Sequence, residues 1–318
     1  MENREALLEL KDVKTYFQVQ KGTLKAVNGV DLTIYRGETV GLVGESGCGK
    51  STLGKTIMRL YKPNDGQVLY QGRDIWSYRG KEKKAYAKNV QMIFQDPYAC
   101  LDPLCVVSDI IAEGLKIHKM CSGAQLEQRV EELLNMVGLG KEHASRFPHE
   151  FSGGQRQRIG IARALSLEPQ LIVCDEPISA LDVSIQAQVV NLLKKLQREM
   201  GLSYLFITHD LSMVRQISNR IAVMYLGSLV EIADSEDIYL KNYHPYTKAL
   251  LSAIPIANPE AERSRKRILL SGDVPSPVNL PKGCNFCQRC SKATERCRTE
   301  KPVLREVEKG HMVACHLV

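Results

Sequence analysis

The sequence predicts an α/β protein with a mainly parallel sheet, and three observations support this fold class. Short apolar runs alternate with amphipathic helical patterns, one of these runs leads through a glycine-rich loop into a helix, and a long helical stretch interrupts the alternation. The length of 318 residues and the hydrophobic content of 44% suit one large domain with a small appendage.

Strands are predicted where apolar residues run without interruption, and helices where they recur every three or four positions. The expected strands, of which the first two are antiparallel, are 7–13, 25–35, 39–43, 90–94, 171–174 and 204–208. The expected helices are 50–60, 106–117, 125–137, 155–166 and 184–199. Because no clear strand falls between 106 and 165, we expect a helical insertion at about 104–166.

The last part of the chain differs in composition from the rest. Five prolines between 254 and 282 interrupt any regular element, so this segment is predicted to be a linker between a main domain of 1–253 and a tail of 283–318. Residues 262–309 carry 12 Lys and Arg against 6 Asp and Glu, which is +6 of the total formal charge of +7. The main domain is therefore nearly neutral, and we expect no broad nucleic-acid groove on it.

Two further features bear on the cellular location. No apolar run approaches the roughly 18 residues that suggest a membrane-spanning helix, and the N-terminus lacks a signal-peptide pattern. We therefore expect a cytoplasmic protein whose membrane role would depend on partners.

A phosphate-binding loop, the P-loop, is predicted at 44–52, where the sequence matches GxxxxGK[ST] between a strand and a helix. Its glycines let the backbone wrap round phosphates, and the following helix N-terminus supplies N–H donors. Lys50 is expected to reach the β and γ oxygens, and the Ser51 hydroxyl to bind Mg²⁺. The predicted nucleotide-binding residues are Gly44, Glu45, Ser46, Gly47, Cys48, Gly49, Lys50, Ser51 and Thr52.

Two carboxylates follow the apolar strand 171–174. Asp175 and Glu176 are expected at the carboxyl edge of the parallel sheet, where ligands bind in such folds. We assign Asp175 to Mg²⁺ and Glu176 to the attacking water, as general base.

The stretch 151–158, Phe-Ser-Gly-Gly-Gln-Arg-Gln-Arg, lies between the P-loop and these carboxylates. It resembles the LSGGQ signature of the ATP-binding cassette (ABC) family. The resemblance implies an ABC-type P-loop ATPase with an antiparallel β subdomain, a mainly parallel RecA-like core, a helical signature subdomain and a small Cys-rich C-terminal extension. It also implies ATP and Mg²⁺ as cofactors, and a pair of cassettes in which the γ-phosphate held by one subunit is contacted by the other through Ser152, Gly153, Gly154 and Gln155.

The same resemblance assigns roles to further positions. Gln95 is expected to sense Mg²⁺ and the lytic water, and His209 to contact the γ-phosphate. Phe17 occupies the position of the residue that stacks on adenine, and the adjacent Tyr16 is the alternative.

Two segments resemble the ATPases of oligopeptide and dipeptide importers, namely 91–103, QMIFQDPYACLDP, and 244–255, HPYTKALLSAIP. This implies a second ABC ATPase subunit, in a heterodimer rather than a homodimer, two integral membrane permease subunits and an external solute-binding protein, at the cytoplasmic face of the membrane. Tyr98 and Leu101 would line the groove that receives a permease helix. An importer of nickel or sugar, a soluble ABC ATPase acting on nucleic acid or ribosomes, and an ATP-binding scaffold are the alternatives.

Five of the ten cysteines fall in the last 35 residues, which in a chain without an export signal indicates metal binding rather than disulfides. Four thiolates can hold zinc or an iron–sulfur cluster. The tail resembles the importer pattern GCxFxxRCxxxxxxC followed by CH, which implies a [4Fe–4S] cluster on Cys284, Cys290, Cys297 and Cys315. Cys287 departs from that pattern, and Zn²⁺ with Cys287 or His316 as a ligand is the alternative.

Overall fold

The computed structural model describes residues 5–179, 181–255, 267–270, 272, 274–278 and 280–318. The chain divides into two compact units. Among the described residues, the first contains Glu5 and those within 35–38 and 75–207, and the second contains those within 6–34, 39–74 and 208–318. In the described parts of the chain, no helix has the length and apolar character needed to cross a bilayer.

The strands of the described residues are β1 Ala6–Val19, β2 Gly22–Tyr35, β3 Thr39–Val43, β4 Asp65–Tyr70, β5 Arg73–Asp74, β6 Val90–Ile93, β7 Leu171–Asp175, β8 Ser203–Thr208, β9 Arg220–Tyr225, β10 Ser228–Asp234, β11 Arg305–Glu308 and β12 His311–Val313. The helices are α1 Lys50–Ile57, α2 Gly80–Asn89, α3 Val107–Ile117, α4 Ala124–Met136, α5 Gly153–Leu165, α6 Val183–Met200, α7 Leu211–Ile217, α8 Ser235–Leu240, α9 Pro245–Ser252 and α10 Glu295–Thr299. The linker predicted at 254–282 falls partly outside the described residues.

The first unit holds a parallel sheet in the order β6, β7, β8. All residues of β7 and β8 are buried, which explains why these strands are continuous apolar runs rather than alternating ones. Helices α3, α4 and α5, which lie in the stretch of the predicted helical insertion, pack against one another. Polar side chains that follow β6 and β7 therefore come to one edge of this sheet.

The second unit contains two kinds of sheet. Strands β2, β1, β4 and β5 form one sheet, in which β1 is antiparallel to β4. Strand β3 is parallel to β9, and β9, β10, β12 and β11 continue as an antiparallel ladder. Strand β12, from the cysteine-rich tail, therefore extends a ladder that begins beside the strand leading into the P-loop.

A buried carboxylate fixes this tail strand. Glu231 is fully buried on β10 and accepts the backbone N–H groups of Tyr243 at 2.7 Å and His244 at 3.1 Å. Its carboxylate also lies 2.8 Å from Nε2 of the buried His311 on β12. A buried carboxylate is costly unless several donors satisfy it, and here the donors come from two separate segments. The boundaries predicted at 253 and 283 stay a prediction, but the tail belongs to the same compact unit as the P-loop.

Candidate nucleotide site

The P-loop is shaped by glycines that no other residue could replace. Gly49 has a φ of 107°, and a Cβ there would lie 2.0 Å from the carbonyl oxygen of Ala26. A Cβ at Gly44 would lie 2.2 Å from the carbonyl oxygen of Met224. The loop therefore lies directly against two neighbouring backbone segments, and it forms the kind of backbone cradle that a phosphate group requires.

Lys50 lies inside this cradle. Its side chain is buried, and Nζ donates to the carbonyl oxygens of Gly44 at 2.8 Å and Glu45 at 3.0 Å. The N-cap of α1 is Gly49, which offers no side chain to the first helical N–H groups. A phosphate can use those N–H groups together with the positive end of the helix dipole. Burial raises the pKa of the neighbouring Cys48 thiol, so this cysteine is a neutral packing residue.

Two aromatic rings occupy the positions predicted for adenine stacking. The Tyr16 hydroxyl donates to Oδ1 of Asn28 at 2.6 Å, whereas the Phe17 ring packs edge-on against Tyr61 at a centroid distance of 5.1 Å. Both rings are half-buried, so each keeps a partly accessible surface. Phe17 has no polar group to satisfy, and its ring suits stacking better than the hydrogen-bonded Tyr16.

His209 follows β8 at an exposed turn. Oδ1 of the next residue, Asp210, accepts the backbone N–H groups of Ser212 at 2.8 Å and Met213 at 3.2 Å, which caps α7. This cap fixes the turn that carries the histidine.

The acidic strand end lies in the first unit. Asp175 is buried at the end of β7, and Glu176 follows with a φ of 44°, a backbone conformation that is strained for any residue with a Cβ. The Glu176 N–H donates to the Ile207 carbonyl at 3.0 Å, which holds this strained turn in place. Nε2 of Gln95 donates to Oε2 of Glu176 at 2.8 Å. Two predicted catalytic residues, 81 positions apart in sequence, are thus in direct contact.

The signature stretch begins helix α5. Ser152 is its exposed N-cap, and Oγ accepts the Gln155 N–H at 3.4 Å while Oε1 of Gln155 accepts the Ser152 N–H at 3.0 Å. This reciprocal capping box explains both polar residues of the motif. A Cβ at Gly154 would lie 2.6 Å from Cγ2 of Ile185, so the motif also needs a glycine here to pack against α6. The structure therefore places the Gln155 side chain in the cap.

The sequence did not single out Arg156, which follows the signature. Its guanidinium lies 3.5 Å from the ring centroid of Tyr98, and its Nε donates to the Pro148 carbonyl at 2.6 Å. This is a close cation–π contact between the loop after Gln95 and the signature helix. Tyr98 is 63% exposed, as a partner-facing residue requires, whereas Leu101 is only 2% exposed and packs in the core instead of lining a groove.

The tail cysteines lie near one another without forming a ready metal site. The Cys284 N–H donates to the Cys297 carbonyl at 2.8 Å. Burial, and to a smaller extent the neighbouring Cys287, Cys297 and Cys315, raise the pKa of Cys284 to about 11. In the described segments, no group of three or more His, Cys, Asp or Glu side chains is arranged to hold a metal ion. The arrangement thus does not support the predicted [4Fe–4S] cluster or its zinc alternative.

Comparisons with known sequences agree with the motifs. Residues 27–179 match the ABC transporter family, and residues 230–297 match the C-terminal region of oligopeptide/dipeptide transporters. The oligopeptide transport ATP-binding protein OppF of Bacillus subtilis is 55% identical over 313 residues, which cover 98% of this chain and 96% of that protein. OppF of Escherichia coli is 51% identical over 324 residues, covering 99% of this chain and 97% of that protein.

Solved structures show the same fold. The dimeric ATP-binding cassette MJ0796, in a post-hydrolysis state bound to ADP and Pi, has a TM-score of 0.66 and 31% identity, and the match covers 72% of this chain and 99% of that chain. CbiO1 from Clostridium perfringens, part of the ABC transporter complex cbiONQ, has a TM-score of 0.66 and 26% identity. The match covers 74% of this chain and 92% of that chain.

Proposed function

This chain belongs to the ABC transporter family, and from that premise we propose that it hydrolyses ATP to drive a membrane importer of oligopeptides or dipeptides. The observation that carries the choice of importer is the match of residues 230–297 to the C-terminal region of oligopeptide/dipeptide transporters. Relatives that match this chain over nearly their whole length are oligopeptide transport ATP-binding proteins.

We propose that the P-loop binds the phosphates of ATP. Its glycines let the loop lie directly against neighbouring backbone, where a Cβ would collide, and Lys50 brings a positive charge to the loop. Mg²⁺ would be held by Ser51, Gln95 and Asp175. When bound, it would neutralise part of the negative charge of the phosphates. Phe17, with Tyr16 as the alternative, would stack on adenine.

Glu176 is proposed to take a proton from the attacking water. Its carboxylate is oriented by the Gln95 amide, at 2.8 Å, and its backbone by the contact with Ile207. An oriented carboxylate can place a water for in-line attack, and His209 would stabilise the γ-phosphate as charge develops. Gln95 donates to the base and so links the loop that carries Tyr98 to the hydrolytic residue.

The signature residues are proposed to act on a second subunit. Ser152 and the amides of Gly153 and Gly154 begin an exposed helix N-terminus, which favours anions. They would close on the ATP held by a partner cassette, in a heterodimer rather than a homodimer. Two integral membrane permease subunits and an external solute-binding protein would complete the importer, with this chain at the cytoplasmic face.

Co-purification tests this assembly. When the chain is co-expressed with the permease pair and the second ATPase of an oligopeptide system from the same genome, we expect a stable membrane complex whose ATPase activity rises with peptide-loaded binding protein. ATPase activity that RNA stimulates, in a chain that binds no membrane subunit, would overturn the importer assignment in favour of the soluble class.

We retain the four-cysteine cluster as a proposal for the tail. The ligands would be Cys284, Cys290, Cys297 and Cys315. Support comes from the electrostatic influence of Cys297 and Cys315 on both Cys284 and Cys290, although the described side chains do not form the ligand geometry. A bound cluster would stabilise the fold of the tail, because so short a segment buries little apolar surface of its own. Anaerobic purification should give about four iron and four sulfide per chain. Cys290→Ser should lose them and Cys287→Ser should keep them; a colourless preparation containing zinc would refute the iron–sulfur assignment.

A further inference from the structure

The second residue of the P-loop, Glu45, is held at each of its polar groups. Its N–H donates to the Tyr246 hydroxyl at 2.9 Å, and its carbonyl accepts from Lys50 at 3.0 Å. Its carboxylate accepts two hydrogen bonds from the guanidinium of Arg289, at 2.8 and 3.2 Å. Arg289 belongs to the cysteine-rich tail and lies 244 positions away in sequence. A segment at the far end of the chain is thus bonded to the loop that wraps the phosphates.

The ion pair is well shielded. The Arg289 side chain is 9% exposed and the Glu45 side chain is 25% exposed. A two-pronged guanidinium–carboxylate pair fixes direction as well as charge, which a single ammonium cannot do.

An aromatic cluster holds the backbone from which Arg289 extends. The buried Phe286 ring packs against Tyr225 at 5.2 Å, Tyr246 at 5.4 Å and His244 at 5.6 Å between centroids. Tyr246, which bonds to the Glu45 N–H, is therefore also a packing partner of the tail. Aromatic pairs of this kind give a rigid anchor with little freedom to shift.

We propose that Arg289 is a positioning residue of the nucleotide site: it orients Glu45 and neutralises its charge, so that the folded tail sets the affinity of the P-loop for ATP. This inference rests on the proposed nucleotide site at 44–52. Without Arg289, a carboxylate within the P-loop would be unpaired, and it would repel the triphosphate and be free to turn toward it. The tail is then a part of the ATP site that acts through one loop residue.

Equilibrium binding of a fluorescent ATP analogue to the full-length chain tests the proposal. Arg289→Gln should raise the Kd by about tenfold, since it leaves one charge of a shielded pair without its partner. Arg289→Lys should restore part of the affinity, because it returns the charge without the second hydrogen bond. The double variant Glu45→Gln/Arg289→Gln should bind at least about threefold more tightly than Arg289→Gln alone, because no unpaired carboxylate remains.

The matched control is Arg296→Gln. Arg296 makes an equally two-pronged pair with Glu300, at 2.7 and 3.0 Å, on the exposed surface of the same tail, and its loss should leave the Kd unchanged. A double variant as weak as Arg289→Gln would overturn the proposal, because the defect would then come from the tail fold and not from the carboxylate. An unchanged Kd for Arg289→Gln would also overturn it, provided that Lys50→Ala abolishes binding. Normal binding by Lys50→Ala would instead refute the nucleotide site itself.

Discussion

Replacement of Glu176 by Gln is expected to lower the turnover number of the assembled ATPase by about 100-fold to 10,000-fold, the range of general-base catalysis. Glutamine keeps the size of the side chain and an oxygen that can accept the bond from Gln95, so the loop geometry should persist. It cannot accept the proton of the attacking water. ATP binding should therefore remain while hydrolysis stops, and dimers with ATP trapped inside should accumulate, which gel filtration and single-turnover kinetics would detect.

Glu168 provides the control for this substitution. It lies in the same compact unit, also has a positive φ, of 52°, and is bonded to Arg129 on the surface. Glu168→Gln should leave turnover within about twofold, because an exposed ion pair contributes little. Near-normal hydrolysis by Glu176→Gln would show that Glu176 is not the general base. The hydrogen bond between Gln95 and Glu176 would then be purely structural.

Substitution of Ser152 by Arg is expected to disable the site of the partner subunit and to spare the site of its own chain. The residue is an exposed N-cap, so the large charged side chain would cover the helix N-terminus that is proposed to face the γ-phosphate of the partner. Hydrolysis in the partner site should fall by about 100-fold or more, comparable to the loss of a transition-state donor. Photocrosslinking of nucleotide to each subunit, with the two subunits separated by size, would show which site is affected.

Ser152→Ala separates this effect from loss of the cap. It removes the Oγ that accepts the Gln155 N–H and should cost about 1 kcal/mol of stability without adding bulk. Its effect on the partner site should be smaller than that of Ser152→Arg. If Ser152→Arg instead reduces nucleotide crosslinking in its own subunit, the proposed exchange of residues across the dimer is wrong.

The parallel strands of the first unit and the signature helix were predictable because local sequence determines them. Strand β7 is an unbroken apolar run, and α5 starts at a serine with glutamine three positions later, so each pattern points to one structure. The helix predicted at 50–60 is shorter than expected. It ends at Ile57 because Arg59 adopts a φ of 60°, which no residue pattern there indicates.

The features that were not predicted from the sequence depend on contacts between residues far apart in the chain. Strand β10 carries a buried charge at Glu231, which breaks the apolar run, and donors from β12 and from the two residues before α9 satisfy that carboxylate. Tyr246 and Arg289 were used only as members of family patterns. Their contacts with Glu45 join positions 201 and 244 residues apart in the sequence, and no local signal marks them.

The two helix starts that are proposed to meet phosphate differ in one respect, and the difference implies an order of events. Gly49 has no side chain that could cap α1, so no side-chain cap has to be displaced there before a phosphate binds. At α5 the Ser152 hydroxyl already accepts one of these bonds, and using it elsewhere costs about 1 kcal/mol. Nucleotide should therefore settle on the P-loop of an open subunit first, with the signature engaging only later. The free energy needed to break this cap should then oppose closure of the proposed dimer slightly and disfavour pairing of subunits without ATP.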